Sequence, residues 1–488
     1  MGLDIVHTLP KRGLLIGGEW RQARSGRDFL TLNPATGSPI ASIPEAGVED
    51  VDAAVASARR AIDEGAWGRM TGADRARVLR RLADLVERHR ERFVELEAID
   101  AGKPLAASRR QDVPAAIDCL AYYSGWADKI HGEVVPARAD ALTYVTRKPV
   151  GVVAAITPWN FPLMNAVWKI APALAAGCAV VLKPAELTPL SSLLLGELAI
   201  EAGLPAGALN ILPGFGTVAG QALIEHPGVD KISFTGSPAV GKHIMGVAAR
   251  DCKHVTLELG GKSPNIVFAD ADLQAAANAS SSGVFFNAGQ VCSSGTRIFV
   301  QRAVYERFLE LFADRASRLK LGDPFDPETT MGPVISEKQR DRVMSYVETG
   351  KREGAALIAG GEALDRPGYF IAPTIFADAD NLMTIAREEI FGPVATVIPF
   401  DEPDAAIRDA NDSPFSLAAA VWTRDVTRAH VMADRLRAGT VWINTYGPTD
   451  TRLPWGGMGG ESGVGRDLGR AALDNYTEQK TVWLQLRA

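Results

Sequence analysis

Three residues of the 488-residue chain stand in segments that suit nucleophilic and acid–base chemistry. Cys292, in FFNAGQVCSSGTR, is flanked by small residues, which give a substrate carbonyl room to approach a nucleophilic thiol. Glu258, in TLELGGKSP, stands between two leucines, an apolar setting that raises a carboxyl pKa and suits a general base. Asn160, in TPWNFP, lies between two prolines that hold the backbone, so its amide is a suitable oxyanion donor.

Each of these residues also has a plain structural interpretation. Most lone cysteines are buried and inert, which is the expectation for Cys119, Cys178 and Cys252. A strand glutamate can be half exposed, and an asparagine beside proline can simply form a turn. Local sequence alone leaves both interpretations open for the three candidate residues.

A glycine-rich segment, GSPAVGKH at 236–243, follows the strand-like run KISFT and nearly matches a phosphate loop. His243 replaces the hydroxyl that would bind magnesium, which disfavours a nucleoside triphosphatase. A helix amino terminus with glycines still attracts a pyrophosphate. The segment therefore predicts a dinucleotide site, although no Gly-x-Gly-x-x-Gly follows any predicted strand.

The elements that must position these residues change character near Val150. Before it, residues 16–44 predict short strands, whereas 48–100 and about 113–130 predict helices. The run LTYVTRKPVG predicts an edge strand that ends at Pro149.

After Val150, the apolar runs GVVAAIT, AVVLK, LNILPG and KISFT alternate with helical segments. Those helices are predicted at about 165–176, 191–202, 218–225 and from 240. Continuous apolar strands joined by helices predict a parallel, Rossmann-like sheet covered on both faces. A second α/β region is predicted at about 260–460, and the tail TEQKTVWLQL predicts a strand that pairs elsewhere in the chain or on another subunit.

Composition excludes several classes of protein. The balance of 52 basic and 58 acidic residues gives a net charge of −6, with no basic half for nucleic acid. The apolar stretch at 170–182 is broken and too short to span a bilayer, and MGLDIVHTLPKRG lacks the apolar core of a signal peptide. Four cysteines without a Cys-x-x-Cys pair and scattered histidines predict no metal site. A cytoplasmic protein with neither a membrane nor a nucleic-acid partner is expected.

Seven motifs in order resemble the aldehyde dehydrogenase superfamily: TPWNFP, VVLKPAE, FTGS, LELGGKSPN, GQVC, EEIFGP and PWGG…SGVGR. The resemblance extends from about Ile16 to Trp483 and implies an α/β fold with three parts. These are a Rossmann-like NAD-binding domain (1–128 and 150–258), an α/β catalytic domain (259–468) and a small β oligomerisation element (129–149 and 469–488). It also implies a homodimer or homotetramer.

The resemblance implies NAD-dependent oxidation of an aldehyde to its carboxylic acid through a covalent adduct on Cys292. The thiolate would form a thiohemiacetal and, after hydride transfer, a thioester. The Asn160 amide and the Cys292 N–H would stabilise the oxyanion, and Glu258 would activate the hydrolytic water. Lys169, in AVWKIAP, matches a lysine that the family associates with proton relay.

The resemblance also assigns cofactor contacts. Lys183 and Glu186 match residues at the adenosine ribose, where a carboxylate repels a 2′-phosphate and favours NAD over NADP. Gly236 and Ser237 would contact the pyrophosphate, while Glu389 would hold the nicotinamide ribose. The other matching contact positions are Phe391, Trp159, Gly216, Phe234, Val240, Leu259 and Gln339.

Four aromatic residues match positions of the substrate tunnel. Trp168 and Trp455 stand where relatives acting on betaine aldehyde or amino aldehydes hold a cation by cation–π attraction. Phe161 and Phe286 fill two further positions and also suit a plain apolar aldehyde. A cationic aldehyde and a neutral aliphatic or aromatic aldehyde both stay open.

Three segments depart from the family pattern: GSPAVG at the pyrophosphate site, GGMGGESG without the usual lysine, and Asp467 in place of glutamate. The alternative function is a cysteine-dependent thioesterase or acyl-transfer enzyme on the same fold. The cofactor motifs KPAE and EEIFGP argue against that alternative.

Overall fold

The computed structural model describes residues 9–486. Residues 1–8, which include most of the segment that lacks a signal-peptide core, lie outside the described residues, as do residues 487 and 488. The described strands are, in chain order, β1 (Leu14–Ile16), β2 (Glu19–Arg21), β3 (Asp28–Leu32), β4 (Pro39–Pro44), β5 (Glu133–Val134), β6 (Ala141–Pro149), β7 (Val152–Ile156), β8 (Ala179–Lys183), β9 (Leu209–Ile211), β10 (Lys231–Thr235), β11 (His254–Glu258), β12 (Pro264–Val267), β13 (Arg297–Gln301), β14 (Ala356–Ala359), β15 (Thr374–Ala377), β16 (Val394–Phe400), β17 (Ala418–Trp422), β18 (Thr440–Ile443), β19 (Gly463–Val464) and β20 (Thr477–Gln485).

The helices cover the sheets on both faces. In chain order they are α1 (Val48–Asp63), α2 (Ala66–Arg69), α3 (Gly72–Arg88), α4 (Arg90–Ala101), α5 (Leu105–Ala107), α6 (Val113–Ser124), α7 (Pro162–Ala176), α8 (Leu190–Glu201), α9 (Gln221–Glu225), α10 (Pro238–Arg250), α11 (Leu273–Phe285), α12 (Tyr305–Ser317), α13 (Glu337–Arg352), α14 (Thr384–Arg387), α15 (Pro403–Asn411), α16 (Val426–Arg435) and α17 (Ala471–Asp474). Within residues 9–486, none of them is both long and apolar enough to cross a bilayer.

The first sheet carries the Rossmann-like architecture expected from the sequence. Its strand order is β19-β11-β10-β7-β8-β9-β1-β2, and the strands from β11 to β9 run parallel. Every residue of β7 and β8 is buried, because helices lie on both faces of the sheet. The continuous apolar runs of these two strands are therefore explained by burial on both sides.

A second sheet has the order β14-β15-β16-β13-β12-β17-β18, and only β14 runs antiparallel to its neighbour. Residues from the later part of the chain nevertheless complete the first core, among them Leu468 and Tyr476. The two-residue strand β19, in the range predicted for the catalytic domain, pairs with β11 of the first sheet. The exact domain boundaries stay a prediction.

The third sheet corrects the interpretation of LTYVTRKPVG as an edge strand. The order is β20-β6-β5, so β6 lies in the middle and the tail strand β20 pairs with it in the same chain. The prediction was wrong because β5 is only two residues long and has no alternation to reveal it. The sheet exposes apolar side chains to the surface, including Val134, Leu142 and Leu484.

Local sequence explains where several of these helices begin and end. Helix α7 begins at Pro162, three residues before its predicted start, because proline is tolerated in a first helical turn. It ends where Gly177 adopts a φ of +95°. Helix α10 begins after Ser237, whose hydroxyl accepts a hydrogen bond from the Val240 N–H at 3.5 Å. Helix α6 ends at Ser124, before the predicted end near 130, and residues 125–128 form turns instead.

Candidate active site

One cavity of about 1640 Å³ lies at the carboxyl edge of the first sheet and reaches the loops of the second. Its volume exceeds the range of about 300–1,000 Å³ typical of single-ligand pockets, so it can hold a dinucleotide and a second ligand together. The residues predicted from the sequence that line it are Trp159, Asn160, Phe161, Trp168, Glu186, Gly236, Ser237, Glu258, Leu259, Phe286, Cys292, Gln339, Glu389, Phe391 and Trp455. Those that do not line it are Lys169, Lys183, Gly216, Phe234 and Val240.

Cys292 stands on a strained loop that follows α11. Asn287 and Ala288 adopt φ angles of +51° and +53°, a region that non-glycine residues rarely occupy. The Asn287 amide donates to the Asn160 carbonyl at 2.9 Å, and the Gln290 amide donates to the Asn287 carbonyl at 3.0 Å. The hydrogen bonds hold the thiol-bearing loop against the segment of Asn160.

Two consecutive glycines let Cys292 and Glu389 approach the end of β11. A Cβ at Gly261 would lie 2.1 Å from the Cys292 carbonyl oxygen, and a Cβ at Gly260 would lie 2.4 Å from Glu389 Oε2. At Gly261 the close neighbour is backbone, so only glycine fits there, whereas at Gly260 it is the end of the Glu389 side chain. The sequence identifies this pair as a turn after a strand, within the motif LELGGKSPN, but does not by itself reveal these two close approaches.

The Asn160 amide is fixed in position. Asn160 is 5% exposed, and its Nδ2 donates one hydrogen bond to the Gln290 carbonyl at 2.9 Å. An amide nitrogen carries two N–H donors, so the second remains for a ligand in the cavity. Gln290 is itself held because its Oε1 accepts from the Ile335 N–H at 2.8 Å.

Glu258, at the carboxyl end of β11, is a buried carboxyl without a hydrogen-bond partner in the described residues. It is only 4% exposed, and neither oxygen is paired with another protein group. Burial, together with the negative charge of Asp467, raises the pKa of Glu258 well above its usual range, although Lys169 opposes the shift. The alternative interpretation of Glu258, as a half-exposed glutamate of a strand, is therefore wrong.

The Cys292 thiol is neutral at physiological pH in this ligand-free protein. Burial, followed by the charges of Glu389 and Glu258, raises the pKa of Cys292 to about 12. Cys119 and Cys178 are buried in the first core, as expected, whereas Cys252 is exposed. Formation of a thiolate at Cys292 therefore requires a change in its electrostatic surroundings.

Lys169 stands behind the cavity on α7 and pairs with Asp467. The Nζ of Lys169 lies 3.1 Å from Asp467 Oδ2, and both side chains are at most 1% exposed. Asp467 lines the cavity, and its Oδ1 is buried without a partner among the described residues. Asp467 entered the sequence analysis only as a departure from the family pattern, yet it connects Lys169 to the neighbourhood of Glu258.

Two acidic residues that line the cavity, Glu186 and Glu389, have defined partners. The Lys183 ammonium donates to Glu186 Oε2 at 3.4 Å and to the Pro184 carbonyl at 2.8 Å. Glu389 Oε1 accepts from the Gly261 N–H at 3.0 Å, and burial raises the pKa of Glu389 to about 7.

A strained residue lies next to Glu389. Phe391 adopts a φ of +59°, and the Gln339 amide donates to its carbonyl at 2.7 Å. The Phe391 ring packs edge-on against Trp159, with 5.3 Å between the centroids. Strain held by a side-chain hydrogen bond at a cavity wall is typical of functional sites.

The other end of the cavity is aromatic. The Phe161 and Phe286 rings stack with their centroids 6.2 Å apart, and Trp168 and Trp455 pack edge-on at the same separation. The Lys103 ammonium lies 3.9 Å from the Phe161 centroid, so one face of this ring already carries a cation. Among residues 9–486, no cluster of three or more histidine, cysteine or acidic side chains could hold a metal ion.

The fold and this cavity define a class of enzyme site, in which a cysteine, a buried carboxyl and a fixed amide lie beside the carboxyl edge of a Rossmann-like sheet. The model of the aldehyde dehydrogenase family matches residues 20–482. Retinal dehydrogenase 2 of Gallus gallus is 47% identical over 488 residues, which cover 100% of this chain and 93% of that protein. An aldehyde dehydrogenase of Alternaria alternata is 48% identical over 475 residues, which cover 97% of this chain and 95% of the relative.

Solved structures agree with these relatives. The NAD+ complex of the aldehyde dehydrogenase from Bacillus cereus matches with a TM-score of 0.98 at 48% identity, covering 100% of this chain and 99% of that one. The chain belongs to the aldehyde dehydrogenase family, and the resemblance found in its motifs and the fold it implies are confirmed.

Proposed function

We propose that the protein oxidises a neutral, apolar aldehyde to its carboxylic acid with NAD, through a covalent thioester on Cys292. The observation that carries the proposal is the joint placement of Cys292, Glu258 and Asn160 on one cavity that extends to the sheet's carboxyl edge. A cavity of this kind lets a nucleophile and a nucleotide meet the same carbonyl carbon.

In the first step Cys292 loses its thiol proton to water in the cavity and attacks the aldehyde carbon as the thiolate. The second N–H of the Asn160 amide and the backbone N–H of Cys292 donate to the oxyanion of the thiohemiacetal. When bound, NAD would supply a positively charged ring that favours the thiolate and would provide the hydride acceptor for the oxidation. The raised pKa of the ligand-free thiol protects Cys292 from side reactions until the cofactor is present.

In the second step Glu258 takes a proton from the water that hydrolyses the thioester. Its burial and lack of protein partners give the carboxyl a high proton affinity and leave both oxygens free for that water. Asp467 and Lys169 lie behind it as the relay that carries the proton away. The acyl group then leaves Cys292 as a carboxylic acid.

The residues present fit NAD. Glu186 would hydrogen-bond the adenosine ribose hydroxyls and repel a 2′-phosphate, and Lys183 holds its carboxylate in place. Ser237 and the amino terminus of α10 would face the pyrophosphate, because helix amino termini attract phosphate groups. Glu389 would accept from the nicotinamide ribose. We propose preference for NAD over NADP on these grounds.

A neutral aldehyde fits the aromatic end of the cavity better than a cationic one. The Lys103 ammonium occupies one face of Phe161 and is itself paired with Asp112, so this face is closed to a substrate ammonium. Met164 and Val291 add apolar lining, which suits aliphatic or aromatic chains. The exposed apolar side chains of the β20-β6-β5 sheet support assembly into a homodimer or homotetramer.

The test is NADH formation at 340 nm across a panel of betaine, amino, aliphatic and aromatic aldehydes, each with NAD and with NADP. Activity should be highest with NAD and a neutral aldehyde, and Cys292→Ala should abolish it. Cys252→Ala, which removes an exposed thiol outside the cavity, is the matched control. Activity that survives Cys292→Ala would exclude the covalent mechanism, and acyl-ester hydrolysis without any NADH would favour the thioesterase alternative.

A further inference from the structure

Lys169 has a second buried partner besides Asp467. Its Nζ donates to Ser233 Oγ at 3.3 Å, and the same Oγ accepts from the Tyr476 hydroxyl at 3.1 Å. Lys169, Ser233 and Tyr476 are fully buried, and Asp467 is 1% exposed. Because an ammonium donates along only three directions, two fixed acceptors restrict where Nζ can lie.

The Ser233 and Tyr476 hydroxyls belong to different parts of the fold. Ser233 lies within β10, whereas Tyr476 directly precedes β20 of the third sheet. The Tyr476 carbonyl accepts from the Val150 N–H at 3.1 Å and from the Cys178 thiol at 3.3 Å. The hydroxyl of Tyr476 is therefore held in place by the start of the nine-residue pairing between β20 and β6.

We propose that Ser233 and Tyr476 are positioning residues, which hold the Lys169 ammonium against Asp467 for the hydrolytic half of the reaction. The inference rests on the proposed function, in which Glu258 takes the proton from water and Asp467 and Lys169 lie behind it. Neither hydroxyl contacts the cavity; each acts through Lys169. This arrangement also makes hydrolysis of the Cys292 thioester depend on the pairing of β20 with β6.

The expected consequence has a definite sign. The positive charge of Lys169 favours the ionised form of Glu258. Without the Ser233 hydroxyl, the Lys169 Nζ loses one of its two acceptors and spends time away from the carboxyls of Asp467 and Glu258. Glu258 is then ionised only at a higher pH, so hydrolysis should need a higher pH. The other ionisable groups around this cluster stay in place in the variants: Asp467, Arg466, Lys231, Cys119, Cys178, Tyr123 and Cys292.

The experiment uses p-nitrophenyl acetate and the full-length protein. The initial burst of nitrophenolate reports acylation of Cys292, and the linear phase reports hydrolysis of the acyl-enzyme. Ser233→Ala and Tyr476→Phe should slow the linear phase by about 3- to 10-fold, the effect of one hydrogen bond, with little change in the burst. The alkaline shift of the pH profile should be larger for Ser233→Ala.

Three further variants keep the test specific. The double variant should be no slower than Ser233→Ala alone, because both changes interrupt one chain of hydrogen bonds. Tyr305→Phe removes a buried hydroxyl from the second core, 3.3 Å from the Val397 carbonyl, and should leave the pH profile unchanged. Melting temperatures identify any variant that fails to fold, and Ser233→Thr should restore the profile because it restores the hydroxyl.

The outcomes separate this inference from the function on which it rests. If Lys169→Met slows hydrolysis but Ser233→Ala and Tyr476→Phe leave rate and pH profile unchanged, the positioning role is wrong and the relay stands. If Lys169→Met has no effect either, the relay and the positioning role both fail. Equal losses of burst and linear phase with a lowered melting temperature would make these hydroxyls merely structural and would also overturn the inference.

Discussion

Replacing Gly456 by alanine tests whether the position of the Glu258 carboxyl controls thioester hydrolysis. A Cβ at residue 456 would lie 2.5 Å from Glu258 Oε1 and 3.0 Å from the Gly465 carbonyl oxygen. Non-bonded heavy atoms are comfortable at about 3.5 Å, so the carboxyl would have to move by about 1 Å. The side chain can yield, because Oε1 is the far end of a flexible chain without a protein hydrogen bond.

The magnitude follows from that displacement. A misplacement of about 1 Å at a reacting group costs roughly 100-fold in rate, equivalent to about 2.7 kcal/mol. Hydrolysis of the acyl-enzyme should therefore fall about 100-fold in Gly456→Ala. Acylation of Cys292 should be largely retained, because the thiol loop and Asn160 do not contact residue 456.

The assay is the burst and linear phase with p-nitrophenyl acetate, repeated with an aldehyde and NAD. Gly459→Ala is the matched control: it lies in the same segment at a φ of +96°, against +144° at Gly456, and its Cβ would meet nothing within 4 Å. Both variants carry backbone strain of about 1–3 kcal/mol, but only one contacts the carboxyl. An unchanged linear phase in Gly456→Ala, or the same loss in Gly459→Ala, would refute the reasoning.

Three further results are expected. Glu389→Gln should speed the labelling of Cys292 by iodoacetamide in the ligand-free protein by several-fold, because it removes a negative charge that raises the thiol pKa. The pKa of Glu389 is about 7, so the difference in labelling rate between the variant and the parent should appear as the pH rises through 7 and vanish below it. Glu186→Ser should lower kcat/KM with NAD by at least about tenfold, the cost of losing a hydrogen bond to a charged group, and raise it with NADP, a prediction that unchanged ratios would contradict. Leu142→Asp with Leu484→Asp, directly opposite each other on the third sheet, should reduce the oligomer measured by light scattering, whereas a variant of parental mass would place the interface elsewhere.

The parts of the fold that the sequence predicts well are those with a strong local signal. Strands β7 and β8 are continuous apolar runs, and the helix between them, α7, begins at Pro162 and ends before Gly177, both of which are recognisable signals. Strands β5 and β19 have only two residues each, so no periodicity could reveal them. The error over the position of β6 follows directly, since the neighbour that makes it central is β5.

The site shows the same division. Cys292, Glu258 and Asn160 stand in motifs that can be recognised, but local sequence could not separate a buried Glu258 from a half-exposed one. Its burial depends on Gly456 and Asp467, about 200 residues further along the chain. Contacts of that sequence separation leave no periodic pattern, and the same holds for the bond between Lys169 and Ser233.

The pairing of β19 with β11 has a consequence for biosynthesis. The strand that completes the first sheet is made after the whole second sheet, so a nascent chain cannot finish its first core until residues 463–476 have left the ribosome. At that stage Cys292 is already present, but Glu258 still lacks the charge of Asp467 and the wall formed at Gly456. Under the proposed mechanism, acyl-enzyme hydrolysis is therefore among the last properties that a newly synthesised chain acquires, and release of residues 463–476 completes the candidate active site.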